Sequence, residues 1–406
     1  MKDLKPNYFD KFICIGHKCP DTCCQGWSID VDQKSHKKYE ILNNSFRKIN
    51  NISKFLKKKQ YPNTHNYSQI EMKKNGLCPF LDINKLCKIQ SKLGEDYLPN
   101  TCKVFPRRMV DFNEIKVKTL SLACPEAARL CLTKKNSMEI KLEDEKKNFI
   151  KIVPDHLHNP FTIVGEKLFN KIFFLFKDEK FKVENLLIIC ENLLNEQKNL
   201  EKSPSKIDEV TNFIIDKSKK LDFLNLDSSI IKLNFLNDIT SFIQKNNPKS
   251  SLNKILYETQ KKLISNFTNY EEAIENFKNI EKNEYVGFEK KNYSILRNFF
   301  LNEILGNVQI FTNQTLNCRN RFYLIILCAT ISKIIAIGDI TKRSRKNIDK
   351  NILTNAIQKV IKNFGAFIKV DNNQEYTFHP EISTALEKVE KNNIFNSLFL
   401  LFCSIG

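Results

Sequence analysis

The chain has 406 residues, 65 Lys and Arg against 46 Asp and Glu, and a formal net charge of +19. A chain this long can bury a core without covalent staples, which argues against a small disulfide scaffold. The lysines are dispersed as short pairs such as Lys146–Lys147, Lys219–Lys220, Lys261–Lys262 and Lys290–Lys291, so the charge describes a solvated surface and no nucleic-acid partner is expected.

The first residues, MKDLKPNYFDKFICIG, contain no apolar run of signal-peptide type, which points to a cytoplasmic location. Structural disulfides are rare there, and clustered cysteines more often bind metal or do redox chemistry. Nine of the thirteen cysteines lie within residues 1–131. Cys190, Cys318, Cys328 and Cys403 sit among Leu, Ile and Phe and are expected to pack as small buried hydrophobes.

The stretch CIGHKCPDTCCQGW, residues 14–27, places four cysteines in eleven positions. Pro20 favours the start of a helix, with Cys19 at the cap and Cys23 one turn on, nearly on the same face. Cys24 would then point roughly 100° away from Cys23. On such a helix the two neighbours cannot easily serve one centre equally: either they reach different centres, or one is a support residue. Trp27 is expected to pack over this turn, and His17 to be either a supporting donor or an exposed loop residue.

Residues 31–59 suggest a helix. GLCPFLDINKLCKIQ follows as a hairpin. With its turn at Ile83–Asn84, Leu81 faces Leu86, and Cys78 and Cys87 become diagonal neighbours roughly 7–8 Å apart. That is too far for an unstrained disulfide but suits two ligands flanking a metal centre. RRMVDFNEIKVKTLSL forms a second hairpin turning near Asn113. Cys124-Pro125-Glu126 then opens a short helix, EAARLCL, and a thiol at a helix N-terminus has its thiolate favoured. Cys78-Pro79 is a third Cys-Pro pair, a step also found in iron–sulfur ligation. The candidate ligands are therefore Cys14, Cys19, Cys23, Cys24, Cys78, Cys87, Cys102 and Cys124, with Cys131 on the apolar side of the last helix.

All-thiolate sites suit both zinc and iron–sulfur centres. Zinc ribbons usually show paired C-x2-4-C knuckles, whereas here the spacings beyond Cys24 are longer and Cys23-Cys24 is an adjacent pair; Gly26 stands where a C-x3-C-x2-C motif needs its third cysteine. Spacing leaves the two metals open. No glycine-rich nucleotide loop is present.

Residues 136–160 form a charged, proline-broken connection in which His156 and His158 belong to a surface loop. From Phe161 to the end at 406, KLFNKIFFLFK, VENLLIICENLLNEQ and IDEVTNFIIDKSKKL show helical periodicity. Breaks fall at Ser203-Pro204-Ser205 and Asn247-Pro248. FYLIILCATISKIIAIG carries Lys333 and falls short of the roughly 20 apolar residues of a spanning helix, so it is expected to be a buried core helix and no membrane span is expected. The fold class is α+β, mostly α: a Cys-rich module with short β-hairpins in residues 1–135, followed by a helical domain.

CIGHKCPDTCCQGWSIDVD, then CPFLDINKLCKIQSKLGEDYLPNTCKVFPRR, then LACPEAARLCL together resemble the flagellin lysine-N-methylase family over the first third of the chain. YSILRNFFLNEIL is a weaker landmark further on, and the shorter YkgJ-type cysteine-cluster proteins share only part of the pattern. The resemblance implies transfer of methyl groups from S-adenosylmethionine to flagellin lysines, and association with a 4Fe–4S cluster. It exposes Cys19, Cys23, Cys24, Cys87, Cys102 and Cys124 most to that inference, without selecting four ligands, and zinc remains the alternative metal. It assigns no catalytic base and no S-adenosylmethionine pocket. A sulfonium donor favours nearby carboxylates, and Asp21, Asp30, Asp32, Glu95, Asp96 and Glu126 adjoin the cysteine motifs, where each could equally be a cap or a surface charge. A non-enzymatic metal-binding interaction module is the alternative to an enzyme.

Overall fold

The computed structural model describes residues 2–25, 29–44, 52–112, 115–140, 163–219, 228–311, 317–340, 348–349, 351–370, 376–389 and 393–403. Trp27, the turn at Asn113, His156, His158 and residues 141–160 of the connection lie outside them.

Two three-stranded sheets organise the first third. One has the order β1 (Lys2–Leu4), β6 (Ile115–Leu120), β5 (Arg107–Phe112). Its β5–β6 pair is the second expected hairpin, with Phe112 opposite Ile115 beside the turn. The parallel partner β1, with Leu4 opposite Val117, has no signature in so short a strand. The other sheet runs β2 (Ile29–Val31), β4 (Ser68–Ile70), β3 (Leu56–Lys58), all antiparallel. The helix expected within 31–59 is α1, Gln33–Asn44, and Leu56–Lys58 is a strand rather than its continuation. Three short helices follow: α2 (Lys88–Leu93), α3 (Asn100–Val104) and α4 (Pro125–Leu132).

The remaining chain is helical. It comprises α5 (Ile163–Lys177), α6 (Val183–Lys202), α7 (Ile207–Lys219), α8 (Ser229–Asn246), α9 (Ser251–Gln260), α10 (Tyr270–Ile280), α11 (Val286–Lys291), α12 (Ser294–Gly306), α13 (Asn317–Ile340), α14 (Ile352–Lys362), α15 (Pro380–Glu387) and α16 (Ile394–Phe402). A small hairpin, β7 (Ile368–Val370) with β8 (Tyr376–Phe378), interrupts it. The fold is thus α+β and mostly α. Helix α6 ends before Pro204 and α8 before Pro248, because proline cannot continue the amide ladder. Turns of π-helix at Lys261–Ser265 and Glu281–Tyr285 join α9 to α10 and α10 to α11.

Helix α13 is long and apolar enough to cross a membrane, but 89% of its most apolar window is buried inside the molecule. It packs against α9, α14 and α16, and Lys333 on it lies 3.2 Å from Glu289. An apolar helix enclosed by neighbours behaves as a core element.

Packing separates two hydrophobic clusters. The smaller gathers Ile29, Val31, Tyr39, Ile52, Ile70, Cys78, Phe80, Ile89 and Leu98. The larger joins Leu4, Val117 and Leu120 of the first sheet, and Tyr8 just beyond β1, to Phe169, Phe173, Phe300 and Leu305 of the helices. Helix α12, which carries YSILRNFFLNEIL, is the join. Asn298 donates to Cys131 O (3.1 Å), Lys134 O (2.9 Å) and Ser137 Oγ (3.1 Å). Arg297 donates to the carbonyls of Phe176, Asp178 and Phe181 at the end of α5. Tyr8 donates its hydroxyl proton to Asn302.

Candidate metal centre

The stretch from Cys19 to Cys24 does not form the helix that Cys19-Pro20 suggests. Cys19 instead closes a 3-10 turn at Gly16–Lys18, and the chain then bends without helical bonds. Local side chains take the amides a helix would use: Asp21 Oδ1 accepts from Thr22 N at 2.8 Å, and Thr22 Oγ1 from Cys24 N at 3.1 Å. Such short polar side chains compete with helical pairing. The helix that would point Cys23 and Cys24 roughly 100° apart is therefore absent, and the Cys23 thiol is hydrogen-bonded to that of Cys24.

Cys24 meets Cys78 across a bridge between Gln25 and Leu77, with Cys78 N donating to Cys24 O at 2.8 Å. The two thiols are also hydrogen-bonded. The first hairpin exists, but Leu81 pairs with Cys87 rather than Leu86. Lys85 has φ +60°, Lys85 N donates to Asp82 O, and Asp82 N donates to Leu86 O. That is a type I turn followed by a left-handed residue, which adds one position to the loop and shifts the register. Cys87 thereby caps α2, and Cys124 caps α4 with Pro125 in its first turn, as its Cys-Pro-Glu sequence requires. Neither sulfur makes a close cap hydrogen bond; burial raises both thiols, and the amides beyond each oppose this only in part. Cys102 sits on α3.

All eight candidate cysteines lie within electrostatic reach of at least one other. Cys23, Cys24, Cys78, Cys87 and Cys102 form one set. Cys14, Cys19 and Cys124 form a second, and Cys23 belongs to both. Cys24, Cys78, Cys87 and Cys102 belong to or border the small hydrophobic cluster and Cys124 borders the large one, so these thiols span the seam between the two. A Cβ built on Gly16, whose φ is +54°, would lie 3.6 Å from Leu86 Cδ2, which places the first cysteine loop against the hairpin.

Burial and neighbouring thiols shift these sulfurs in different directions. For Cys24 the bond with Cys23 favours the thiolate, but the bond to Cys78 and burial outweigh it and the pKa is pushed up to about 12. Burial pushes Cys124 up to about 12 against the amides of Ala127 and Glu126. Burial, then the neighbouring thiols, raise Cys102. Cys23 is raised by its bond to Cys24 and by burial, whereas Cys78 is lowered by its bond from Cys24. A soft cation among such sulfurs replaces their protons and removes the cost of grouping thiolates. The donor set therefore fits zinc or an iron–sulfur centre chemically. Among the described residues, no three Cys, His, Asp or Glu side chains surround a common point as a single ion requires. None of the twelve described cysteines is joined in a disulfide.

Cys131 stands apart, buried with its sulfur 3.7 Å from Met138 Sδ. Cys190, Cys328 and Cys403 are likewise buried, while the side chain of Cys318 lies outside the described residues. His17 is exposed. Most of the nearby carboxylates have structural partners. Asp32 caps α1 through Ser35 and reaches Asn100 N, Asp30 pairs with Lys59 and Glu126 with Arg129. Asp21 meets Lys359 and Lys362 of α14, residues that sequence reasoning missed because nothing local marks a partner 338 or 341 positions away.

Neither a family model nor a solved structure matches this chain. The chain is 36% identical to the flagellar biosynthetic protein FliU of Salmonella muenchen over 155 residues, covering 37% of this chain and 88% of that protein. It is 35% identical over 146 residues to proteins named lysine-N-methylase from Salmonella typhimurium and Salmonella choleraesuis. Those matches cover 34% of this chain and span about a third (35%) of the length of those two relatives. The chain belongs to the family that contains the flagellar protein FliU and these lysine-N-methylases.

Proposed function

We propose that the protein is a lysine N-methyltransferase that methylates flagellin, with S-adenosylmethionine as donor and a Cys-ligated 4Fe–4S cluster. The observation that carries this reading is the 35% identity to proteins named lysine-N-methylase. The name of the FliU relative supports a flagellar substrate. Cys24, Cys78, Cys87 and Cys102 are the residues we assign to hold the cluster, with Cys23 beside them. Their mutual contacts, and the electrostatic relief a cation offers, support that choice. Zinc on the same sulfurs is the alternative metal. Bound there, a cluster supplies an electron-transfer centre or an open iron for a ligand.

The chain's own task is to present the target lysine as a neutral amine, since the unperturbed pKa is about 10.4 and only the free amine attacks a methyl group. Incubation of anaerobically prepared, iron-loaded protein with labelled S-adenosylmethionine and flagellin tests the proposal. Label on flagellin lysines is expected; a cluster-replete protein that transfers none overturns it.

The difference in coverage between FliU (88%) and the lysine-N-methylases (35%) favours one second reading. In it the chain is a non-enzymatic, metal-binding interaction module. Absence of S-adenosylmethionine binding by calorimetry would select that reading.

A further inference from the structure

One face of α14 touches both cysteine segments of the second thiol set. Lys362 Nζ lies 2.8 Å from Asp21 Oδ1 and also donates to Thr22 O at 2.8 Å. Lys359 Nζ lies 2.6 Å from Asp21 Oδ2. Gln358 Nε2 donates to Ala123 O at 2.7 Å and to Asp21 Oδ2 at 3.2 Å. Thr22 precedes Cys23 and Ala123 precedes Cys124, so Gln358 and Lys362 grip the backbone beside two cysteines that are themselves 101 positions apart, and Lys359 joins them on the Asp21 carboxylate.

A surface ion pair would not look like this. The Lys362 and Asp21 side chains are 7% and 10% exposed, and two of the bonds go to main-chain carbonyls, whose positions set where the next side chain points. The helix is held independently: Ile352, Leu353, Ile357 and Val360 bury its other face, and it packs on α13 and α4. Its lysine ammonium also lies within electrostatic reach of the Cys23 sulfur.

We propose that Gln358, Lys359 and Lys362 of α14 are positioning residues for the thiol centre: they clamp the Cys19–Cys24 loop to the start of α4, hold Cys19, Cys23 and Cys124 in register, and offset the negative charge of the loaded site. The proposal rests on the reading of the cysteines as a metal centre. It makes the helical part of the chain a structural component of that centre, and it assigns a function to a carboxylate otherwise explicable as a donor contact.

Hydrogen exchange on the full-length, metal-free chain tests the clamp, and release of reconstituted iron to a chelator tests its effect on the centre. Lys362→Gln and Gln358→Ala are expected to speed exchange in residues 19–25 and 121–124, with α8 still protected as a monitor of folding. They are expected to speed iron release about tenfold or more, and Lys362→Arg to restore much of the retention because it keeps the charge. Lys388→Gln, which breaks an outlying pair with Asp238, is expected to change neither. Unaltered exchange in both segments in Lys362→Gln and Gln358→Ala overturns the clamp. Faster exchange in a protein whose wild type takes up neither iron nor zinc upholds the clamp and overturns the metal centre instead.

Discussion

Arg108 and Glu303 meet where the first sheet joins α12: Arg108 Nη1 lies 3.2 Å from Glu303 Oε1 and 3.0 Å from Oε2. The Glu303 side chain is only 7% exposed, and Asn302 and Asn307 donate to the same carboxylate. Removing one partner of a buried pair leaves the other charge without compensation. Arg108→Ala is therefore expected to cost about 3 kcal/mol in urea unfolding. Gly306 faces this guanidinium so closely that an added Cβ would lie 2.4 Å from Arg108 Nη2. Gly306→Ala should then destabilise by about 1–3 kcal/mol, and much less in the Arg108→Ala background. Additive losses would contradict the contact.

The helical core contains a second buried pair. Lys232 Nζ lies 2.5 Å from Glu281 Oε1, with the side chains 2% and 0% exposed, and it also donates to Cys403 O. Lys232→Met should cost about 3–5 kcal/mol by stranding the carboxylate. The double replacement Lys232→Met with Glu281→Leu should recover most of that loss. Equal instability of single and double variants in thermal or urea melts would count against the pairing.

Asp32 links α1 to α3. Burial opposes its ionisation, but the amides of Asn100 and Ser35 and the Ser35 hydroxyl outweigh this and hold its carboxyl below the ordinary aspartate range. A carboxyl whose folded pKa is depressed contributes stability above its unfolded pKa and loses it as pH falls through the folded value. Asp32→Ala should therefore cost about 1–2 kcal/mol at about pH 7. Its difference from wild type should shrink steadily below about pH 4. A difference that stays constant between the two conditions would show that the cap does not depend on charge.

The cysteines divide by environment, and substitution should divide them in the same way. Cys131→Ala leaves a small core void, expected to cost about 1–2 kcal/mol while bound iron or zinc per chain is unchanged. Cys24→Ala or Cys102→Ala should lower bound metal, because each removes a sulfur from the larger thiol set. Metal analysis of anaerobically purified proteins checks both. Loss of metal in Cys131→Ala, or full retention in Cys24→Ala, would refute the division.

Several parts of this arrangement are legible in the sequence. The short helix after Cys124 follows from Cys-Pro-Glu, because proline at the first helical position needs no amide partner. The β5–β6 hairpin and helices α5 to α7 follow from period-two and 3.6-residue patterns. The separation of Cys131 from the other eight follows from its place on an apolar helical face. The Cys19–Cys24 bend is not legible in the same way, since Pro20 argues for a helix while Asp21 and Thr22 can capture the same amides, and the winner depends on what else holds Asp21. The hairpin register departs from expectation for a related reason: Lys85 adopts a left-handed conformation that its residue type does not announce.

Sequence alone determined the thiol-rich chemistry of the first third, the periodic helices of the rest and the breaks at Pro204 and Pro248, because each depends on residue type or on neighbours within a turn or two. Tertiary structure decided which sulfurs meet, placed them at the seam between two hydrophobic clusters, and brought Lys359 and Lys362 to Asp21. Contacts across 337 to 341 positions carry no local periodicity, and only packing of the whole chain selects them.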